Sequence, residues 1–398
     1  MTRRGRGVAL TLLIGANVCL SACADRPALP PIPAELVDAA LVPGFGAIRQ
    51  WGDATGVIAG SAWQDRERSS LPTPPSGSRE SLNVLALSGG GSNGSFAVGL
   101  LTGLTVAGSR PYFHVVTGVS VGALEAPFAF LGPQYDGALR ELLSNLSSGN
   151  IFFQKPLLVA YFSDALASDQ RLASIIEKAV GDSVMRAIAE EHRTGRRLFV
   201  ATTHVYAGRP VIWDIGAIAS SGRPEALHLI HRVLLASASV PILLPPVYFE
   251  VEAAGRRYHE MHVDGGLMRE AFVGPPGLDW VAAADALGTA ESTHFYVIRN
   301  GRARAEYMVM APSVLPLGQH AIHQLSQSLG LADLYRIYLR AQQDRATFHA
   351  AWIGSDFSAP WSDSYDSGYI KALFDYGYAR AVKGDVWHSL PPGVEQGL

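Results

Sequence analysis

The stretch Gly118-Val119-Ser120-Val121-Gly122 decides the fold of this chain. An apolar run over residues 114–119 predicts a buried strand, and residues 123–126 predict the start of a helix. A G-x-S-x-G pattern between a strand and a helix is typical of a nucleophile elbow, a sharp turn that presents a serine hydroxyl at the edge of a sheet. The flanking glycines let the backbone turn tightly. The pattern alone also fits an ordinary glycine-rich turn, but its context predicts that Ser120 is a nucleophile.

A second glycine cluster, Ser88-Gly89-Gly90-Gly91-Ser92-Asn93-Gly94, lies upstream. A short apolar run over residues 83–87 predicts a buried strand before it, and residues 95–106 predict a largely buried helix after it. Such a loop holds anions, because its N–H groups are unobstructed and the helix N-terminus adds partial positive charge. The backbones of Gly89, Gly90 and Gly91 are therefore candidate oxyanion donors in an acyl transfer.

The same loop has two rival interpretations. Gly89, Gly91 and Gly94 match the dinucleotide pattern G-x-G-x-x-G, which expects an acidic residue about 20 positions further on. No Asp or Glu occurs between Gly94 and Glu125, so this interpretation is disfavoured. A phosphate-binding P-loop would need a Lys followed by Ser or Thr, which the loop lacks. We predict no bound cofactor.

The third element is Asp264-Gly265-Gly266, which ends an alternating apolar run over residues 258–263 that predicts a strand. Alone it fits an ordinary Asp–Gly turn, but the glycines would also let the carboxylate approach another loop closely. A carboxylate can accept a serine proton when burial raises its pKa. A Ser–His–Asp triad stays open, because Asp264 followed by His294, His320 or His323 fits the chain order of α/β-hydrolases.

Together and in this order, the three motifs resemble the patatin-like phospholipase family. Ala236-Ser237-Ala238-Ser239-Val240-Pro241 and the tract over residues 213–219 also match segments of that family. The resemblance spans about residues 81–300 and implies an α/β fold with a parallel-rich central sheet flanked by helices. It implies a Ser120–Asp264 dyad at strand ends that cleaves lipid acyl esters, as phospholipases A and lysophospholipases do, without calcium. The chain departs from the family at Asn93, where an Arg or Lys is usual.

The N-terminal sequence predicts where in the cell the protein is located. A basic start is followed by a mostly apolar run of about 13 residues, too short to span a bilayer but typical of a signal peptide. Leu20-Ser21-Ala22-Cys23 resembles the bacterial lipobox, which implies cleavage before Cys23 and its lipidation. Ala24 after the cysteine implies the outer membrane of the cell envelope. A plain secretory signal peptide remains the alternative.

Composition narrows the functional classes. The net charge of −3 and the absence of a Lys- or Arg-rich run argue against a nucleic-acid partner. Hydrophobic residues make up 48% of the chain, which suits a globular enzyme with a large core. Cys19 and Cys23 are its 2 cysteines, so no disulfide framework is expected. We predict a signal peptide over residues 1–22, a partly docked proline-rich tether over 23–79 and an acyl hydrolase domain over 80–398.

Several further elements can be expected. Strands are predicted over residues 197–203, 210–214, 248–251 and 294–299, and helices over 315–350 and 369–382. Apolar residues between positions 131 and 166 form either an acyl groove or core. We interpret His262 as a packed core residue and Asp214 as a solvated carboxylate at a strand end. His228 and His231 lack a visible third ligand, so no metal site is predicted.

The sequence as a whole favours a membrane-anchored serine acyl hydrolase with a lipid substrate. Two alternatives remain: a non-catalytic lipoprotein that uses the same fold to bind lipid or a partner, and a small-ester hydrolase with a Ser–His–Asp triad. The oligomeric state is left open.

Overall fold

The computed structural model describes residues 28–53, 81–147, 153–154, 167–286, 292–304, 312–359 and 366–394. The strands are β1 (Arg49–Trp51), β2 (Leu82–Leu87), β3 (Val115–Gly118), β4 (Phe153–Gln154), β5 (Ala167–Ser168), β6 (Arg197–His204), β7 (Arg209–Asp214), β8 (Val247–Ala253), β9 (Arg256–Asp264), β10 (Thr293–Arg302) and β11 (Thr347–Ile353).

The helices mostly follow strands along the chain. They are α1 (Ser95–Val106), α2 (Val121–Leu131), α3 (Asp136–Ser147), α4 (Gln170–Ala179), α5 (Asp182–Arg193), α6 (Ile215–Ala219), α7 (Ala226–Ser237), α8 (Trp280–Ala286), α9 (Val314–Gln343) and α10 (Ser367–Lys383). Short 3₁₀ turns cover Ala34–Ala39, Gly91–Gly94, Pro133–Tyr135 and Gly265–Leu267.

The large sheet runs in the order β1-β7-β6-β3-β2-β10-β11, and β9 joins it beside β6 with β8 as its hairpin partner. Strands β6, β3, β2, β10 and β11 are parallel. By contrast, β7 is antiparallel to β6, and β1 is antiparallel to β7. Residues 205–208 between β6 and β7 are too few for a parallel crossover, which needs a dozen or more. The parallel-rich α/β sheet confirms the predicted fold class.

Both faces of the sheet are covered, which explains why its central strands are almost continuously apolar. In β2, Leu82 and Val84 belong to the core cluster under α8 and α9. Leu85 and Leu87 belong to the larger cluster on the opposite face, beneath α1 to α7 and α10. Because side chains alternate along the strand, β2 contributes to the hydrophobic cores on both faces of the sheet.

Helices α1 and α10 pack with their backbones in close contact. A Cβ at Gly99 would overlap the carbonyl oxygen of Phe374, and a Cβ at Gly377 would lie 2.5 Å from that of Phe96. Only glycine fits such an approach. Because α1 follows the Gly-rich loop directly, this contact ties the C-terminal helix to that loop.

The N-terminal arm over residues 28–53 lies on the domain. Ile32 N–H donates to the carbonyl of His259, and Leu41 and Glu252 exchange backbone hydrogen bonds. Strand β1 then extends the sheet beside β7. The predicted signal peptide and Cys23, and most of the tether beyond residue 53, lie outside the described residues.

Two expectations from the sequence are wrong. The helix predicted over residues 315–350 ends at Gln343, and a turn with Arg345 at φ 56° leads into strand β11. The alternation in Thr347–Ile353 is the signal that was overlooked. Asp214 is not solvated: it is buried, and its side chain accepts a hydrogen bond from Ala217 N–H at 2.8 Å, so it caps α6.

Candidate active site

Ser120 stands in the sharp turn between β3 and α2. Its backbone has φ 54° and ψ −125°, a strained conformation for a residue with a side chain. A Cβ at Gly118 would overlap the carbonyl oxygen of Gly122, and a Cβ at Gly122 would lie 2.5 Å from that of Leu87. The turn therefore requires both glycines. Ser120 N–H donates to Ser237 Oγ at 3.0 Å, which fixes the turn against α7.

Asp264 lies at the end of β9 and meets Ser120 directly. The register of β9 on β6 pairs Thr202 with Asp264, which brings the carboxylate to the same edge of the sheet as the elbow. Ser120 Oγ donates to Asp264 Oδ2 at 2.7 Å, and Gly266 N–H donates to Asp264 Oδ1 at 2.7 Å. Burial raises the pKa of Asp264 to about 7, although these two hydrogen bonds act to lower it. The structure thus joins the two residues that the sequence paired.

The Gly-rich loop lies beside this pair, since a Cβ at Gly89 would be 3.2 Å from Ser120 Cβ. Gly90 and Gly91 have φ values of 151° and 57°, which favour glycine. Gly89 N–H donates to the backbone oxygen of Glu270 at 3.1 Å. It is therefore not available to an oxyanion, whereas the sequence predicted oxyanion donors at Gly89, Gly90 and Gly91. Among the described residues, the N–H groups of Gly90 and Gly91 have no hydrogen-bond partner.

A buried polar group beneath the loop holds it in place. Asn300 N–H donates to Ser88 Oγ at 2.8 Å, and Asn300 Nδ2 donates to the carbonyl of Ser88 at 3.1 Å. Glu125 on α2 accepts a hydrogen bond from Asn300 Nδ2 through its Oε2 at 3.4 Å. Burial raises the pKa of Glu125 well above its usual range, although the hydrogen bond from Asn300 acts to lower it.

Asn93, the departure from the family pattern, is held by the C-terminal helix. Tyr369 on α10 donates its hydroxyl to Asn93 Oδ1 at 2.8 Å. The position thus supplies a structural contact between the loop and α10 in place of a positive charge.

Glu270 is a second carboxyl at the site, which sequence reasoning missed. A Cβ at Gly89 would overlap its Oε2, and a Cβ at Gly266 would lie 2.6 Å from its Oε1. Burial, followed by the negative charge of Asp264, raises the pKa of Glu270 to about 8. Its position six residues after Asp264 was a usable signal, because a short turn can return a side chain to the same site.

The histidines of the triad alternative form no hydrogen bond with Ser120 or Asp264 among the described residues. His294 lies at the start of β10, where Thr293 pairs with Leu82, while Ser120 follows the far end of the neighbouring strands. Five residues of strand separate the two ends by about 16 Å. His320 and His323 lie on α9. No histidine is a hydrogen-bond partner of Ser120 or Asp264 in the described part of the chain.

A separate cluster, formed by His204, Glu260 and His262, has the composition of a metal site. Its ligand atoms lie within 4.8 Å of one another, and all three residues are buried. However, Arg49 donates through both terminal nitrogens to the two oxygens of Glu260, the second at 2.9 Å. A guanidinium in that place would repel a cation and already satisfies the carboxylate.

The remaining contacts of this cluster are structural. Trp213 Nε1 donates to Thr202 Oγ1 at 2.8 Å, and Thr202 Oγ1 lies 2.9 Å from His262 Nδ1. His262 Nε2 in turn lies 3.2 Å from Glu260 Oε2. Burial lowers the pKa of His262 to about 4, so it is neutral at pH 7. His262 therefore packs β9 onto β6 and β7, as the sequence suggested.

Comparison with known proteins identifies a domain within this chain. Residues 85–274 match the family model "Patatin-like phospholipase", a range that contains the loop, the elbow and Asp264. The chain carries a patatin-like phospholipase domain. The resemblance seen in the motifs is thereby confirmed, and the sheet described above is the patatin-like α/β fold.

Two solved structures are similar to this patatin-like chain. VipD from Legionella pneumophila is 14% identical with a TM-score of 0.34, and the match covers 76% of this chain and 66% of VipD. The type III effector protein ExoU is 16% identical with a TM-score of 0.22, and the match covers 80% of this chain and 56% of ExoU. The chain thus spans less than two thirds of either protein. No curated protein matches it.

Two other expectations bear on the surroundings of the site. The apolar segment between residues 131 and 166, expected to be either an acyl groove or core, lies partly outside the described residues, and its described part includes α3, whose Leu139, Leu142 and Leu146 are core. In the part of the chain that the structure describes, no helix combines the length and the apolar character needed to cross a bilayer.

Proposed function

We propose that this protein is a serine acyl hydrolase that cleaves acyl esters of lipids through a Ser120–Asp264 dyad. The observation that carries the proposal is the 2.7 Å hydrogen bond from Ser120 Oγ to Asp264 Oδ2, between two buried groups at the edge of a parallel-rich sheet. The patatin-like domain supports lipids as the substrate class.

The first half-reaction forms an acyl-enzyme. Ser120 Oγ attacks the ester carbonyl carbon while its proton passes to the carboxylate of Asp264. The tetrahedral intermediate then collapses: the C–O bond to the leaving alcohol breaks, and Asp264 returns the proton to the alcohol oxygen. Because the pKa of Asp264 is about 7, its carboxylate is a stronger base than an ordinary aspartate.

The second half-reaction releases the fatty acid. Water takes the place of the alcohol, and Asp264 accepts its proton as the water oxygen attacks the acyl carbonyl. Collapse of this second intermediate breaks the bond to Ser120 Oγ, which recovers its proton from Asp264. The dyad ends in its starting state, and no further base is needed.

The negative charge of both intermediates needs stabilising donors. We assign this role to the N–H groups of Gly90 and Gly91, which have no partner among the described residues, rather than to Gly89. The N-terminus of α2, directly after Ser120, adds partial positive charge. Asn93 contributes no charge, which distinguishes this loop from the usual family pattern.

We also propose that the mature protein is anchored in the cell envelope, at the outer membrane, by lipid on Cys23. The support is the lipobox-like sequence Leu20-Ser21-Ala22-Cys23 after a signal-peptide pattern. Cys23→Ser should abolish incorporation of labelled palmitate and release the protein from the membrane fraction. Cys19→Ser is the matched control and should remain lipidated; a soluble, unlabelled wild-type protein would contradict the anchor.

The catalytic proposal is tested by labelling purified protein with a fluorophosphonate, which reacts with activated serines. We expect labelling and ester hydrolysis in the wild type, and loss of both in Ser120→Ala with an unchanged circular dichroism spectrum. Ser221→Ala, which changes an exposed serine remote from the dyad, should retain both. A folded wild-type protein that neither reacts nor hydrolyses any acyl ester would favour the non-catalytic alternative. Hydrolysis of short acyl esters without hydrolysis of long-chain ones would favour the small-ester alternative.

A further inference from the structure

The carboxyl of Glu270 fills the space between two loops of the candidate site. One oxygen lies against Gly89 of the Gly-rich loop and the other against Gly266 of the turn after Asp264, and neither position leaves room for a Cβ. The backbone of Glu270 is fixed as well. Its carbonyl accepts from Gly89 N–H at 3.1 Å, and its N–H donates to Asp333 Oδ2 at 2.8 Å.

The surroundings of Glu270 offer weak compensation for a negative charge. Asp264 at the end of β9 and Asp333 on α9 oppose ionisation, whereas Arg299 on β10 and the Ser326 hydroxyl on α9 favour it. Within the described residues, Arg299 forms no ion pair with Glu270, and its Nη2 is bound by the carbonyl and side-chain oxygens of Gln327 at 2.8 Å.

Asp333 itself is already compensated by arginines. Arg336 lies 2.7 Å from Asp333 Oδ1, and Arg269 lies 3.6 Å from the same oxygen. The uncompensated repulsion at Glu270 therefore comes chiefly from Asp264, the base of the dyad.

We propose that Glu270 is a positioning residue of the Ser120–Asp264 dyad, which as a neutral acid holds the Gly-rich loop against the Asp264 turn and as a carboxylate inactivates the site. This inference rests on the proposed function. The neutral form packs between Gly89 and Gly266 and leaves a single negative charge in the site, on Asp264. The dyad needs Asp264 ionised as its base, and burial together with that negative charge raises the pKa of Glu270, which favours the neutral form of Glu270 in the active state.

Ionised Glu270 opposes catalysis for an electrostatic reason. The tetrahedral intermediate places negative charge beside the same loop that the Glu270 carboxyl touches, and like charges in a buried site repel strongly. The carboxyl lies against both glycines, so an ionised Glu270 would place its charge directly beside the Gly-rich loop and the Asp264 turn.

The first test is the pH dependence of kcat/KM for acyl ester hydrolysis. In the wild type we expect a rise through pH 7 and a fall above pH 8. Glu270→Gln should keep the rise and lose the fall, so that its activity at pH 9.5 exceeds that of the wild type by about tenfold or more. Glu125→Gln is the matched control, because it also removes a buried carboxyl with a raised pKa next to the loop; it should keep the alkaline fall.

The second test does not depend on hydrolysis and measures thermal unfolding against pH. A carboxyl with a raised folded-state pKa loses stability as pH rises to that pKa, so Glu270→Gln should melt higher than the wild type at pH 9 and nearly equally at pH 5. When Asp264→Asn is also present, Glu270→Gln should raise the melting temperature at pH 9 by less, because the negative charge of Asp264 no longer repels Glu270.

These outcomes separate the two proposals. An inactive, unlabelled protein with the expected melting behaviour would refute the hydrolase and retain the coupling of the two carboxyls. An alkaline fall that survives Glu270→Gln, or that disappears in Glu125→Gln, would overturn the role of Glu270. A melting gain independent of both pH and Asp264 would overturn it as well.

Discussion

Strand β9 carries two buried carboxylates in opposite environments. Glu260 is bound by Arg49 and lies beside His204 and His262; although burial raises its pKa, these partners together hold the pKa well below its usual range. Asp264, at the end of the strand, is bound by one hydroxyl and one backbone N–H, and burial raises its pKa to about 7. The same residue class on one strand thus serves as a fixed structural charge at one place and as a proton acceptor at the other.

The difference lies in the partners and not in the depth of burial, because both side chains are almost fully buried. His204 and His262, followed by the guanidinium of Arg49, stabilise the charged form of Glu260 and hold its pKa well below the usual range. A neutral hydroxyl stabilises the charge of Asp264 less, which leaves it able to take a proton and return it. The comparison identifies Asp264, and not Glu260, as the base.

The largest expected effect comes from removing the base. Asp264→Asn keeps the size of the side chain but cannot accept the Ser120 proton, so ester hydrolysis should fall by about a thousandfold. The matched control is Asp214→Asn, since an Asn caps a helix as well as an Asp does; activity should stay within about tenfold. Equal activity of Asp264→Asn and the wild type would contradict the assignment of Asp264 as the base.

The structural role of Glu260 is tested by breaking its ion pair with Arg49. Arg49→Ala leaves a buried carboxylate without its cation and should lower the free energy of unfolding by about 3–5 kcal/mol. Arg209→Ala removes a more exposed arginine that pairs with Asp53 and should cost about 1 kcal/mol or less. Urea denaturation measures both. Similar small costs for the two variants would mean that Glu260 is not held as the structure indicates.

The smallest effects are expected from histidines that a conventional triad would need. His294→Ala, His320→Ala and His323→Ala should each leave hydrolysis within about tenfold, or roughly 1.4 kcal/mol of barrier. Steady-state kinetics on the folded variants check this. A loss of about a thousandfold in any one of them would assign the base to a histidine and reduce Asp264 to an orienting residue.

Much of the site could be predicted from the sequence because each motif is local. A strand, a glycine pattern and a helix start are encoded within about 15 residues, and this sufficed to single out Ser120 and the Gly-rich loop. Asp264 was found in the same way, at the end of an alternating run. Their meeting could not be derived from spacing, since it depends on the antiparallel pairing of β9 with β6.

Of the parts that the sequence did not reveal, the use of Gly89 N–H depends on a distant contact, whereas the capping by Asp214 and strand β11 are local features. The use of Gly89 N–H by the backbone of Glu270 joins positions far apart in the chain, and no local pattern encodes it. The burial of Asp214 follows from its capping of α6 after the strand. Strand β11 was missed because a helix and a strand meet there with a turn of a few residues between them.

The most direct test of the dyad is the rate at which a fluorophosphonate labels Ser120 between pH 5 and pH 8. If Asp264 accepts the serine proton and its pKa is about 7, the rate should rise about tenfold per pH unit below pH 7 and level off above it. Below pH 7 Glu270 remains largely neutral and should not alter the rise of the curve. A rate that does not change between pH 5 and pH 8, or that reaches its plateau by pH 5, would contradict a base with a raised pKa.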